Sequence, residues 1–206
     1  EEQQKVLETV YRNSEELLEL IDNVLWMTSL NAGDANATIE KFDAREVVKE
    51  TMKRYEKSIL EKGLTLNVEL GEGELSVVSD RAKVERIFQN IFNNAVKFTA
   101  QGGITVNVRQ STDGNKVQFE ISDTGIGIEE SKIDSIFEPF HQADNSMQRA
   151  FSGLGLGLTV SRRMTELIGG KLEVTSKPNV GTRVTMIFLS QARTAAPLAT
   201  EQRKYG

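Results

Sequence analysis

Cysteine is absent from this chain of 206 residues, and histidine occurs once, at His141. Disulfides, thiolate metal sites, thiol nucleophiles and imidazole clusters for zinc are thereby excluded. Long apolar runs are missing as well. No window approaches the ~18 consecutive apolar residues of a membrane helix, and residues 1–31 lack the basic start and small-residue cleavage site of a secretory signal. Positive charge is nowhere concentrated. Residues 1–31 carry seven acids against Lys5 and Arg12, while the rest of the chain balances 23 acids with 23 bases, so the net charge of −5 sits wholly on the first segment. With no lysine-arginine stripe to release phosphate counterions, nucleic acid is not an expected partner.

What is present suffices for a folded core. About 38% of residues are hydrophobic, 27% are charged and only three are proline, a balance that favours a water-soluble globular chain over a disordered one. The length accommodates one domain plus an additional element.

Within the first segment, Val6, Val10, Leu17, Leu20, Val24 and Met27 form one apolar seam at 3–4 spacing, and Leu7, Tyr11, Leu18, Ile21 and Leu25 form another beside it. A helix of about 45 Å is implied at ~1.5 Å per residue. Two stripes suit a helical bundle; an amphipathic helix lying on its own domain is the other reading. Turn formers from Asn31 to Asn36 mark a boundary. Beyond it the pattern predicts a helix over 43–62 opened by Asp43 and stopped by Gly63, then a strand over 64–70. A second helix opens at Asp80 and is expected to end at Gly102-Gly103. Strands over 104–109 and 116–122 follow as a hairpin, a helix spans 154–168, and a last hairpin pairs 171–176 with 183–189. Helices on an antiparallel or mixed sheet make a two-layer α+β sandwich, since the order lacks regular βαβ alternation. Residues from 191 have no periodicity and read as a linker or tail.

Three groups of residues carry chemistry. Asn90, Asn94 and Lys97 recur at i, i+4 and i+7 on the helix begun at Asp80, beside its apolar face. Asparagine is a poor helix former whose carbonyl oxygen suits Mg²⁺, and an ammonium nearby suits phosphate; plain solvated polarity is the alternative. Asp123-Thr-Gly125-Ile-Gly127 directly follows a strand, so glycines let backbone approach a ligand and the carboxylate can accept from an exocyclic amine. A tight turn alone would have the same residues. Gly153-Leu154-Gly155-Leu156-Gly157 opens a helix, where free amides and the dipole favour phosphate. It is neither a dinucleotide fingerprint nor a Walker loop.

Taken in order and spacing, Asn90 to Thr99, Asp123 to Gly127, Phe137-Glu-Pro-Phe140 and Gly153 to Gly157 resemble the N, G1, F and G2 boxes of sensor histidine kinases. The segment Phe137–Arg149 is most similar to the hybrid-type members. The resemblance spans about 40–190 and implies the ATP-binding α/β sandwich shared with gyrase, the heat-shock chaperone and MutL. It implies ATP and Mg²⁺ as cofactors. In it, Asn94 supplies the metal's ligand oxygen, Asn90 supports the metal and phosphates, and Lys97 meets phosphate. Phe98 flanks the base, Asp123 takes the adenine amine, and Gly125 and Gly127 shape that pocket. Residues 141–152 become a lid with Arg149 on phosphate, while Gly153, Leu154, Gly155, Leu156 and Gly157 form the backbone cradle. Because Asn90 stands where the hydrolytic relatives have a glutamate base, phosphoryl transfer is expected rather than hydrolysis.

Residues 1–33 resemble the second helix of the dimerisation hairpin, 34–190 the catalytic domain and 191–206 a linker. The acceptor histidine is then expected on a helix this chain lacks. The further partners implied are a second copy, as a homodimer, and a response-regulator receiver domain, with the chain as the cytoplasmic part of a membrane-anchored sensor. Two positions depart from the pattern, Ser152 and Leu154, where hybrid kinases show a glycine and a hydroxyl residue. Leu154 cannot hydrogen-bond phosphate, which leaves a kinase-weak module that pairs with another sensor as the competing function. Phe137, Phe140 and Phe151 are equally compatible with plain core, and His141 with a structural or lid role.

Overall fold

The computed structural model describes residues 2–32, 36–139 and 155–190. A long helix α1 (Glu2–Ala32) precedes β1 (Glu40–Asp43), α2 (Ala44–Lys62), β2 (Thr65–Leu70), β3 (Ser76–Ser79), α3 (Arg81–Phe98), β4 (Gly103–Gln110), β5 (Lys116–Asp123), α4 (Gly157–Leu167), β6 (Lys171–Lys177) and β7 (Gly181–Leu189). Single 3-10 turns lie at Glu130–Lys132 and Ser135–Phe137. The main sheet has the order β2-β4-β5-β7-β6, and β1 pairs with β3 in a separate two-stranded ribbon. Only β2 and β4 run parallel in the main sheet; its other pairs are antiparallel. The expected mixed sheet under helices is thus the observed architecture.

Alternation along the strands decides which face is covered. Val106, Val108, Val117, Phe119, Ile121, Val184, Met186 and Phe188 are buried, and they meet Ile87, Phe88, Ile91 and Phe92 of α3 and Val160 and Met164 of α4 in one core. Phe88 stacks with Phe92 and meets Phe119 edge-on, and Phe119 meets Phe188 the same way. The helices therefore cover one side of the sheet only. At the other side lie Asn107, Arg109, Gln118, Glu120 and Arg183, whose hydrogen bonds and ion pairs run across strands.

Several ends differ from the sequence pattern, each for a physical reason. Asp43 and Gly63 cap α2 as expected. Asp80 caps α3 through a bond from the Lys83 N–H, but α3 ends at Phe98 with Thr99 extended, before the glycine pair. Those glycines serve the sheet: Gly102 has φ 103°, and a Cβ at Gly103 would sit 2.8 Å from the Thr65 carbonyl oxygen in the parallel pairing. Helix α4 starts at Gly157 rather than at 154, because Gly155 has φ 67° and cannot be helical. The ribbon strands β1 and β3, four residues each, are too short to leave a period in the sequence.

Helix α1 meets the domain through its last turns. Trp26, Met27 and Leu30 pack against the core and Asn23 is buried. Arg163 of α4 donates to Asn31 and Met27, and Arg86 of α3 donates to Asn23. Of the two seams, Val6, Leu7, Val10, Leu17, Leu18, Ile21, Val24 and Leu25 remain exposed, so most of this helix does not lie on its own domain. No helix among the described residues is long and apolar enough to cross a membrane.

Candidate nucleotide-binding site

Asp123 is the last residue of β5, where the strand leaves the sheet and the glycine turn begins. Its Oδ1 accepts the Gly125 N–H at 2.8 Å and the Thr182 N–H at 3.3 Å, leaving Oδ2 as the open acceptor among the described residues. Burial pushes the carboxyl above its ordinary 3.8, only partly countered by those two amide bonds. Half-buried acceptors of this kind favour a ligand that brings its own donor. An exocyclic amine is such a donor.

The turn after Asp123 fits between two pieces of backbone. A Cβ at Gly125 would lie 2.5 Å from the Phe98 carbonyl oxygen and 2.9 Å from Asp123 Oδ1. The Ile126 N–H donates to Phe98 O at 3.3 Å, and the Asn179 N–H donates to Ile126 O at 2.7 Å. Gly127, at φ 68°, sits so close to the Lys177 carbonyl that any Cβ would overlap it. The end of α3 and the β6–β7 turn thus hold this loop from both sides, which is why only glycine serves at these two positions.

On α3 the expected polar stripe is present and divides in two. Asn90 is buried, and its amide nitrogen donates to Gly157 O and Ser161 Oγ, both at 3.3 Å. Both N–H groups are then used and Oδ1 remains as the acceptor. Asn94 and Lys97 are half-buried one and two turns further on. The Asn94 side chain makes no hydrogen bond among the described residues, and the Lys97 ammonium lies 5.5 Å from the Phe98 ring centre. Among the described residues no side chain caps the N-terminus of α4. Its first residue abuts Asn90, whose side-chain amide lies 3.9 Å from where a Gly157 Cβ would be. Open amides, an asparagine carbonyl and an ammonium are a donor set for phosphate and a hard cation.

The structure therefore brings Asn90 to Gly157, and both Phe98 and Asp123 to Gly125. Leu156 is buried under the start of α4. Phe137 faces the Arg162 guanidinium at 4.8 Å, and its carbonyl accepts from Thr159. Phe140, His141, Arg149, Phe151, Ser152, Gly153 and Leu154 lie outside the described residues. Sequence reasoning missed Thr182, Ser176 and Ser161, which hold the Asp123 and Asn90 ends of the site. Gly181-Thr182 after a turn was a usable signal for the first; the serines resemble ordinary strand and helix polarity.

Among the described residues no group of three or more His, Cys, Asp or Glu is placed to hold a metal. A cation here would rely on amide oxygen together with ligand phosphates, which is the way Mg²⁺ is commonly held.

Comparison with known proteins agrees with this fold. The family described as "Histidine kinase-, DNA gyrase B-, and HSP90-like ATPase" matches residues 79–193, more than half of the chain. The autoinducer 2 sensor kinase/phosphatase LuxQ of Vibrio parahaemolyticus is 30% identical over 98% of this chain and 24% of its own length. The circadian input-output histidine kinase CikA of Synechococcus elongatus is 34% identical over 90% of this chain and 25% of its own length. The chain thus spans about a quarter of these relatives. Full-length ShkA, solved with AMPPNP, superposes with a TM-score of 0.78 over 96% of this chain and 41% of that one, at 27% identity. The catalytic domain of histidine kinase ThkA, in a nucleotide-free form, has a TM-score of 0.64 over 74% of this chain and 96% of its own, at 23% identity, a likeness of fold. The chain belongs to the histidine kinase, DNA gyrase B and HSP90-like ATPase family.

Proposed function

We propose that this chain is the ATP·Mg²⁺-binding catalytic part of a hybrid-type sensor histidine kinase, and that it passes the γ-phosphoryl group of ATP to a histidine on a helix not contained in the 206 residues. The observation that carries the reading is Asp123, one oxygen occupied by two backbone amides and the other left open in a half-buried site. That oxygen accepts the adenine amine, whereas the carbonyl of guanine would face it with a second acceptor. Phe98, Gly125 and Gly127 then bound the base.

Lys97 and the amides at the start of α4 meet the phosphates, with Gly153, Leu154, Gly155, Leu156 and Gly157 as backbone cradle and Arg149 on the lid. Asn94 would offer the ligand oxygen for Mg²⁺, which would supply neutralisation of the phosphate charge. Asn90, with both amide protons committed, holds α4 in place and cannot abstract a proton from water. In-line transfer needs positioning and charge neutralisation rather than covalent help, and these residues supply both. Residues 1–33 form the second helix of a dimerisation hairpin, 34–190 the catalytic domain and 191–206 a linker. The exposed seams of α1 support homodimer pairing in the full-length protein. A response-regulator receiver is the onward partner, as ThkA was solved in complex with response regulator protein TrrA, and the domain works on the cytoplasmic side of an anchored sensor.

The test joins the chain to an upstream helix carrying an acceptor histidine and supplies γ-labelled ATP with Mg²⁺. Acid-labile, base-stable label on that helix, lost in Asn94→Ala, is the expected result. Steady phosphate release without labelled protein would instead make the chain an ATPase.

A further inference from the structure

The geometry points to Ser176 as a positioning residue of the nucleotide pocket: its hydroxyl ties the glycine turn at Ile128 to the β6–β7 pair whose Thr182 amide orients Asp123. This inference rests on the adenine-binding reading of Asp123 and extends it to a residue that never touches the nucleotide.

Along β6, Leu172 and Val174 pack against the core, and Ser176 is the next residue of the same row. A hydroxyl thus ends an apolar row at the edge of the site. Its hydrogen-bonding capacity is fully used. Ser176 Oγ accepts the Ile128 N–H at 2.8 Å and donates to the Gly181 carbonyl at 2.9 Å. It also lies 2.9 Å from Thr182 Oγ1. With its single proton on Gly181, Ser176 must accept from Thr182, so one proton and both lone pairs are engaged. Thr182 in turn places its N–H on Asp123 Oδ1.

Two separate stretches of chain meet at this one atom. The turn 124–128 is otherwise held at its start by the bonds of Thr124 with Gly103 and of Gly125 with Asp123, and in its middle by the Ile126 and Asn179 backbone bonds, none of which reaches its exit at Ile128. Losing the Ser176 hydroxyl leaves the Ile128 amide and the Gly181 carbonyl without this partner, and so loosens the Gly181–Thr182 peptide whose N–H holds Asp123. Asp123 then samples orientations in which the oxygen meant for the base is no longer the open one. The effect falls on the adenine end and leaves the phosphate end untouched.

The experiment is calorimetric titration of the whole chain with ATP·Mg²⁺ and, separately, with tripolyphosphate·Mg²⁺. We expect Ser176→Ala to bind ATP about tenfold more weakly, the size of one hydrogen bond's net contribution at the adenine end, while tripolyphosphate binding is unchanged and Ser176→Thr restores ATP affinity. Wild-type ATP affinity in Ser176→Ala, or equal loss for both ligands, overturns the proposal. Asp123→Ala is titrated alongside: if it too binds ATP normally, the adenine pocket itself is wrong; if it alone is impaired, only the role of Ser176 is. Should Ser176→Ala fail to fold, Ser176→Cys, whose sulfur accepts poorly, takes its place, and the same two results overturn the proposal.

Discussion

The side-chain amide of Asn90 donates to the backbone carbonyl of Gly157, 3.3 Å away and 67 residues later in the sequence. One nitrogen thereby fixes the start of α4 against the middle of α3, and Ser161 takes its second proton. An asparagine that looks like a helix misfit is a staple between two elements of the site. An isosteric change exposes this: Asn90→Asp would turn an acceptor towards the Gly157 carbonyl, with no donor left to answer it. We predict a loss of about 2–3 kcal/mol in urea unfolding for Asn90→Asp, against less than about 1 kcal/mol for Asn94→Asp, whose side chain has no such bonds.

Asp123 sets a pH dependence. Its folded-state pKa lies above the ordinary 3.8, so the folded protein binds the proton more tightly than the unfolded chain does. Its contribution to stability is full below about 3.8 and is lost as pH rises through the raised value. Asp123→Asn keeps an oxygen for the Gly125 and Thr182 amides but carries no charge. Thermal unfolding should find this variant more stable than the wild type at pH 7, with the advantage fading in acid. Nucleotide binding has the opposite dependence, since only the ionised form is an acceptor on both oxygens: ATP affinity should fall as pH is lowered through the Asp123 pKa.

The joint under α1 is also electrostatic. Lys83 and Asp80 form a pair at 2.6 Å with both side chains nearly covered; the ammonium also donates to Asn36 O and lies 5.5 Å from the Trp26 ring centre. Burial alone would raise the Asp80 carboxyl, but the bonds from the Lys83 side chain and from the Lys83 and Thr38 amides, with the lysine charge, hold it below 3.8. Its stabilisation is therefore present at neutral pH and lost as pH falls through the depressed value. Lys83→Met should cost about 3–5 kcal/mol by stranding a buried carboxylate. Chemical denaturation at pH 7 and pH 3 checks this, because the cost should shrink once Asp80 is protonated.

Gly127→Ala tests the clamp on the glycine turn. At φ 68° and against the Lys177 carbonyl, a methyl group must displace the β6–β7 turn. A loss of about 2–4 kcal/mol in unfolding free energy is expected from strain and overlap together, with a larger proportional effect on ATP than on tripolyphosphate binding.

Much of this fold is legible in the sequence because its signals are local. Asp43, Gly63 and Asp80 cap the helices where their chemistry allows, and the Asp113-Gly114 turn joins β4 to β5. Long-range relations leave no such trace. The parallel contact of β2 with β4 is made by Gly103 closing on Thr65, which in sequence reads as a helix stop. The spacing of Asn90, Asn94 and Lys97 shows that the three share a face; it cannot show that Asn90 is spent on Gly157 while Asn94 is not. Ser176 is silent for the same reason, since its partners Ile128 and Gly181 belong to different turns.

The central claim is that the open oxygen of Asp123 reads the adenine amine. Titration of the wild-type chain with ATP·Mg²⁺ and GTP·Mg²⁺, repeated on Asp123→Ala, addresses it most directly. The wild type should prefer ATP by at least about tenfold, and the variant should lose that preference along with most of its ATP affinity. Equal ATP binding by the two proteins would contradict it.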